Sequence, residues 1–185
     1  GCSTGGHDAA QPPVKAAKCI VFLDGKGGNG APSTLANGIA RVQPTGNEPG
    51  WGGRQWLYFP DDRYDEARGV VAAAIDATEC ERVVIHGFSN GAAFAAALWC
   101  RGETFGGRLA GVVIDDPVTD HAVEGCTPPA DVPAALYATG ALEAQAPAGT
   151  ACGPIDWTCA GGSVIGIDAY AAALGLPVQQ SPNLT

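Results

Sequence analysis

Val83-Val84-Ile85-His86-Gly87-Phe88-Ser89-Asn90-Gly91-Ala92-Ala93 is the segment that most restricts how this chain can fold. An apolar, β-branched run meets a G-x-S-x-G turn, and the turn opens directly into a stretch of small residues suited to a helix. Glycines two positions either side of a serine have a steric reason: the serine sits on a sharp, strained bend where side chains at those positions would strike neighbouring backbone. The bend sets Ser89 at the carboxyl end of a sheet strand, in the context known as a nucleophile elbow.

The rest of the chain repeats the alternation. Cys19-Ile20-Val21-Phe22-Leu23 is a short apolar run that stops at the glycine-rich Asp24-Gly25-Lys26-Gly27-Gly28-Asn29-Gly30. Trp56-Leu57-Tyr58-Phe59 reads as a second strand, and Tyr64 to Thr78 as a helix with Val70, Val71, Ala74 and Ile75 on one side. Arg82 to His86, Leu109 to Ile114, Ala134 to Thr139 and a weak Pro177 to Gln180 read as strands, and Ala92 to Cys100 and Ile167 to Leu174 as helices. Continuous apolar strands separated by helices predict an α/β fold, a mostly parallel sheet covered by helices on both faces.

Composition narrows the function classes. With 185 residues the chain suits one domain. Residues 1–17 read as a flexible Gly/Ala/Pro-rich leader and 18–185 as the folded unit. A formal net charge of -9 with only 10 Lys+Arg opposes binding to nucleic acid. Every Ala-rich stretch is broken by Gly, Pro or charge before it reaches the roughly 20 residues that span a bilayer. There is no methionine, which implies a processed or trimmed chain.

The seven cysteines, at positions 2, 19, 80, 100, 126, 152 and 159, lack the close repeated pairs of a structural zinc site and read as disulfides in an oxidising compartment. Cys2 is the odd one. Gly1-Cys2-Ser3 is similar to the end of a bacterial lipobox, so a lipid anchor on Cys2 stands beside a free or intermolecular thiol as an expectation.

Taken with its flanking strand and helix, the G-x-S-x-G segment resembles the α/β-hydrolase superfamily, over nearly all of the chain from Cys19 onward. Among its members the chain looks most like small, cap-poor, secreted serine esterases of the cutinase and carboxylesterase type. The resemblance implies Ser89 as nucleophile and carboxylic esters, small or polymeric, as substrates, with no metal or organic cofactor. Phe22-Leu23-Asp24-Gly25-Lys26-Gly27-Gly28 stands where such enzymes carry a His-Gly-x-Gly loop, with Asp24 in place of the histidine. It implies the Lys26 backbone N–H as one oxyanion donor. The N–H of Asn90, at a helix N-terminus, is the second. Without the Gly-Lys-Ser/Thr ending of a P-loop, a phosphate cradle is the weaker reading of the loop.

A base and its orienting acid are harder to place. The superfamily's order is serine, acid, histidine, yet the histidines are His7 in the leader, His86 inside the strand before Ser89, and His121 in the loop after the Ile114 strand. His121 is a candidate base; His86 is expected to pack in or beside the sheet. The alternative expectation is a histidine just beyond Thr185. For the acid, Glu143 follows Gly140 at the superfamily's Gly-x-x-Asp/Glu position, and Asp156 lies in Cys152-Gly153-Pro154-Ile155-Asp156-Trp157-Thr158-Cys159, as cutinases hold their acid in a small disulfide loop. Asp115 and Asp116 read better as a strand-ending turn.

The same resemblance suggests Cys19–Cys80, Cys100–Cys126 and Cys152–Cys159, with other pairings among the six open. Phe88, Trp51, Trp56 and Trp157 are candidates for an acyl pocket, though aromatics commonly serve as plain core. The expectation is thus a secreted or surface-tethered serine esterase. The competing reading is a non-catalytic surface binding or assembly protein in which the elbow persists without a competent histidine.

Overall fold

A computed structural model describes residues 17–153 and 158–180. Cys2, His7, Asp156 and Trp157 fall outside them, as does nearly all of the proposed leader.

The apolar runs become the middle of a seven-stranded sheet in the order β2-β3-β1-β6-β7-β8-β9. β1 (Lys18–Leu23), β6 (Arg82–Phe88), β7 (Leu109–Asp115) and β8 (Ala134–Ala138) are parallel neighbours, and β9 (Val178–Gln180) adds a short parallel edge. On the other side β3 (Ile39–Gln43) is parallel to β1, and β2 (Ala31–Ala36) closes the sheet antiparallel to β3. Val21, Leu23, Val83, Ile85, Val112, Ile114 and Leu136 are fully or almost fully buried. This is the pattern of central strands covered on both faces.

Among the described residues four α-helices accompany the sheet: α1 (Asp61–Ala77), α2 (Asn90–Cys100), the short α3 (Ala141–Gln145) and α4 (Ile167–Leu174). Every residue of α2 is buried. Its alanines let it lie close to the sheet, while Phe94 stacks on the rings of Trp56 and Tyr58.

The predicted strand at Trp56–Phe59 is not one. The strand nearby is β5 (Gly53–Gln55), which forms a hairpin with β4 (Glu48–Gly50) outside the main sheet. Trp56 and Tyr58 are buried as the sequence suggests, but by packing on α2 rather than by sheet pairing. The remaining predicted strands and helices fall where they were expected. β2, β3, the β4–β5 hairpin and α3 were not foreseen.

All three disulfides have the suggested pairing. Cys19–Cys80 joins the starts of the adjacent strands β1 and β6, Cys100–Cys126 ties the end of α2 to the loop after β7, and Cys152–Cys159 closes a local loop.

Chain direction fixes where a site can form. From β1 the chain passes to β3 on one side, and it later returns to β6 on the other. The crevice between the carboxyl ends of β1 and β6 is therefore the switch point at which open α/β sheets place their ligands. The loop beginning at Asp24 and the turn at Ser89 both emerge there.

Candidate active site

Ser89 follows the last residue of β6 and precedes the first of α2, with φ 53° and ψ -115°. A non-glycine residue in that region is strained and persists only if its surroundings hold it. They do. Its N–H donates to the carbonyl of Asp115 at 3.0 Å, and its own carbonyl accepts from Ala92 and Ala93 at 3.1 Å and from Val118 at 3.3 Å. Both glycines of the motif are required sterically: a Cβ on Gly87 would come within 2.2 Å of the Gly91 carbonyl oxygen, and one on Gly91 within 2.1 Å of that of Leu23.

Ser89 is half-buried and faces a cavity of about 170 Å³ lined by Lys26, Trp51, Asn90, Val118, Leu142, Gln145 and Thr158. Asn90 is the first residue of α2, so its N–H has no acceptor within the helix and points with the positive end of the helix dipole. The Asn90 side chain is occupied elsewhere: its Oδ1 accepts from Trp56 N at 2.7 Å and its Nδ2 donates to Trp56 O at 3.0 Å.

The glycine-rich loop is fastened in place. Asp24 accepts from Gly30 N at 2.9 Å and from Gln43 Nε2 at 2.8 Å. Gly27 N donates to Arg54 O at 2.7 Å. Lys26 Nζ donates to Thr158 Oγ1 at 3.3 Å and lies 4.8 Å from the centre of the Trp51 ring. Ser89, Asn90 and Lys26 are therefore brought together at one cavity.

Among the described residues, Glu143, Asp116, His86 and His121 bond to partners other than Ser89. Glu143 sits in the first turn of α3, and its Oε2 accepts from Ile167 N at 3.0 Å, so it caps the start of α4. It borders a separate, smaller recess shared with Asp116 and Thr119. Asp116 holds Thr139 by accepting from its N at 3.2 Å and its Oγ1 at 3.0 Å. His86 packs beside the sheet as expected, edge-on to Phe22, with Nε2 3.5 Å from Asp115 Oδ2.

His121, the candidate base, has its Nδ1 2.8 Å from Glu124 Oε1 and its Nε2 3.3 Å from Ser163 Oγ. Among the described residues no histidine is hydrogen-bonded to Ser89 Oγ. Asp156 lies outside those residues. Of the suggested pocket aromatics, Trp51 lines the cavity, whereas Trp56 is core.

Asp120 went unnoticed in the sequence although it is fully buried. Its Oδ2 accepts from Tyr58 Oη at 2.6 Å and from Ala160 N at 2.9 Å, and its Oδ1 from Ala122 N at 3.0 Å. Burial pushes the Asp120 carboxyl above the ordinary aspartate range, against the opposing pull of these bonds, and pushes Tyr58 well above the usual phenol range.

No protein-family model and no curated protein matches the sequence. Among solved structures, the carboxylesterase of Bacillus cereus is similar to this chain at 19% identity and a TM-score of 0.53, over 92% of this chain and 81% of that one. A protein of unknown function from Agrobacterium tumefaciens is similar at 17% identity and a TM-score of 0.53, over 94% and 85%. Together with the sheet order and the strained serine after the central strand, this defines the fold as that of the α/β-hydrolases.

Proposed function

We propose that the protein is an extracytoplasmic serine hydrolase that cleaves carboxylic esters through an acyl-enzyme on Ser89. The supporting observation is Ser89 itself, held in a strained conformation at the mouth of the switch-point crevice and facing a mostly apolar cavity. Strain that the surrounding hydrogen bonds must sustain is a reason to look for chemistry at that residue. The three disulfides favour an oxidising compartment.

In this reading Ser89 Oγ bonds to the ester carbonyl carbon while its proton passes to a base. The backbone N–H groups of Asn90 and Lys26 receive the oxyanion. The ester C–O bond then breaks, the alcohol leaves with the proton, and water repeats the sequence to free the acid. The base in this reading is a histidine oriented by Glu143 or Asp156; none is hydrogen-bonded to Ser89 Oγ among the described residues. The lack of an imidazole on Ser89 among those residues also favours the second reading, a hydrolase-fold binding protein without turnover.

A fluorophosphonate probe separates the two. Stoichiometric labelling of Ser89, with hydrolysis of p-nitrophenyl esters lost in the Ser89→Ala variant, is the expected result. A folded, disulfide-intact protein whose Ser89 peptide stays unmodified would establish the binding protein instead.

A further inference from the structure

A second serine, outside the Ser89 cavity, is set against an imidazole. His121 Nε2 lies 3.3 Å from Ser163 Oγ, and the Nδ1 of the same ring lies 2.8 Å from Glu124 Oε1. Hydroxyl, imidazole and carboxylate in that order form the set that activates a serine: one ring nitrogen takes the proton while the carboxylate fixes the other.

The arrangement is held from below by one carboxylate. Asp120 Oδ1 accepts from Ala122 N, which shapes the short 3-10 turn His121–Val123, and Asp120 Oδ2 accepts from Ala160 N, which starts the 3-10 turn Ala160–Gly162 leading to Ser163. Thr119 adds two ties to the same stretch, its carbonyl accepting from Ile165 N at 2.7 Å and its Oγ1 from Gly166 N at 3.2 Å. On the other side Cys152 N donates to Gly162 O at 2.8 Å and Val164 N to Thr150 O at 3.0 Å, so both neighbours of Ser163 are pinned.

The imidazole is seated on bare backbone. Gly161 has φ 81°, and a Cβ there would lie 2.5 Å from His121 Cδ2, so any side chain at 161 displaces the ring. Groups fixed this firmly lose little freedom when a reagent arrives. They are also reachable: the side chains of His121 and Glu124 are 31% and 64% exposed, and Ser163 is half-buried. Two carboxylates face the ring region, Glu124 on Nδ1 and the buried Asp120 one residue before it.

We propose that Ser163, with His121 as its base and Glu124 as the positioning residue, is a second nucleophilic serine that accepts acyl or phosphonyl groups from activated esters. The site works independently of Ser89. Ser163 Oγ bonds to the electrophilic carbon or phosphorus, its proton moves to His121 Nε2, the bond to the leaving group breaks, and His121 returns the proton to that group or to water. The product is an O-substituted Ser163.

The test uses the whole chain carrying Ser89→Ala, with its disulfides checked by mass and its fold by circular dichroism. After treatment with a fluorophosphonate, peptide mapping reads the rate of labelling at Ser163 against Ser33, which has no histidine partner. The expected result is labelling of Ser163 about a hundredfold faster than Ser33, a general-base contribution that His121→Gln removes. Glu124→Gln, at an exposed position that the fold does not need, is expected to slow labelling severalfold. Labelling of Ser163 no faster than Ser33, or a rate that neither His121→Gln nor Glu124→Gln alters, overturns the proposal and leaves the reading of Ser89 untouched.

Discussion

The Asn90 carboxamide clasps the main chain of Trp56 by both of its polar groups, at 2.7 Å to the nitrogen and 3.0 Å to the oxygen. The residue proposed to offer its backbone N–H to the oxyanion is thereby anchored to the aromatic segment that packs on α2. Position and chemistry are divided within one residue, the side chain holding and the N–H left at the helix terminus.

Replacement of that carboxamide should be felt first in stability. Asn90→Ala leaves the buried Trp56 N–H and C=O without partners, each costing about 1–3 kcal/mol. The expected outcome is a clear drop in the urea midpoint with a parallel loss of esterase rate. Asn90→Ala that unfolds like the wild type would show the clasp to be dispensable.

For Ser89 the expected effect is confined to chemistry. Ser89→Ala removes no side-chain hydrogen bond of the described structure, so its thermal midpoint should stay close to that of the wild type. Hydrolysis of short p-nitrophenyl esters should fall about 10⁴-fold or more. A variant that keeps appreciable turnover at the Ser89 cavity contradicts the acyl-enzyme reading.

Asp120 gives a pH dependence whose sign can be worked out. Burial holds its carboxyl above the ordinary aspartate range, so the folded chain binds that proton more readily than the unfolded chain. The stabilisation from this group is therefore fully present only at acid pH and declines as pH rises from about 4 through the raised folded value. The margin in unfolding free energy of wild type over Asp120→Ala should shrink from about pH 4 to about pH 7. A margin that widens over that interval reverses the assignment.

The three disulfides should differ in worth. Cys19–Cys80 closes a sequence separation of 61 and Cys152–Cys159 one of 7. Chain-entropy reasoning assigns about 4 kcal/mol to the first and about 2 kcal/mol to the second. Urea unfolding of the paired alanine variants checks the ranking, which fails if the short loop proves the costlier to open.

The parts of the fold that could be read in advance were those where burial and backbone shape leave one pattern. β1, β6, β7 and β8 are central strands, so their apolar runs are continuous, and the glycines around Ser89 answer to contacts of about 2 Å that no other residue survives. β2 was obscured because its Ala-Pro-Ser-Thr-Leu-Ala sequence lies almost wholly exposed at an edge and carries no apolar face. Trp56 and Tyr58 misled in the opposite sense, since stacking on Phe94 buries aromatics as fully as a sheet does.

At the site, Ser89 and the loop at Lys26 were visible through local sequence. The attachment of His121 to Ser163 spans 42 positions, and that of Asp120 to Tyr58 spans 62, so neither leaves a local trace. Glu143 was chosen for its place after β8; its bond to Ile167 N depends on how α4 approaches, which spacing alone does not specify.

The hollow before Ser89 also sets a yardstick for chain length. Its volume of about 170 Å³ is comparable to that of an apolar cavity of about 150 Å³ that admits benzene. If the proposed esterase reading holds, a cavity of that size accommodates a butanoyl or hexanoyl group but not a whole hexadecanoyl chain. Selectivity among homologous esters should then peak at short acyl chains and flatten beyond them.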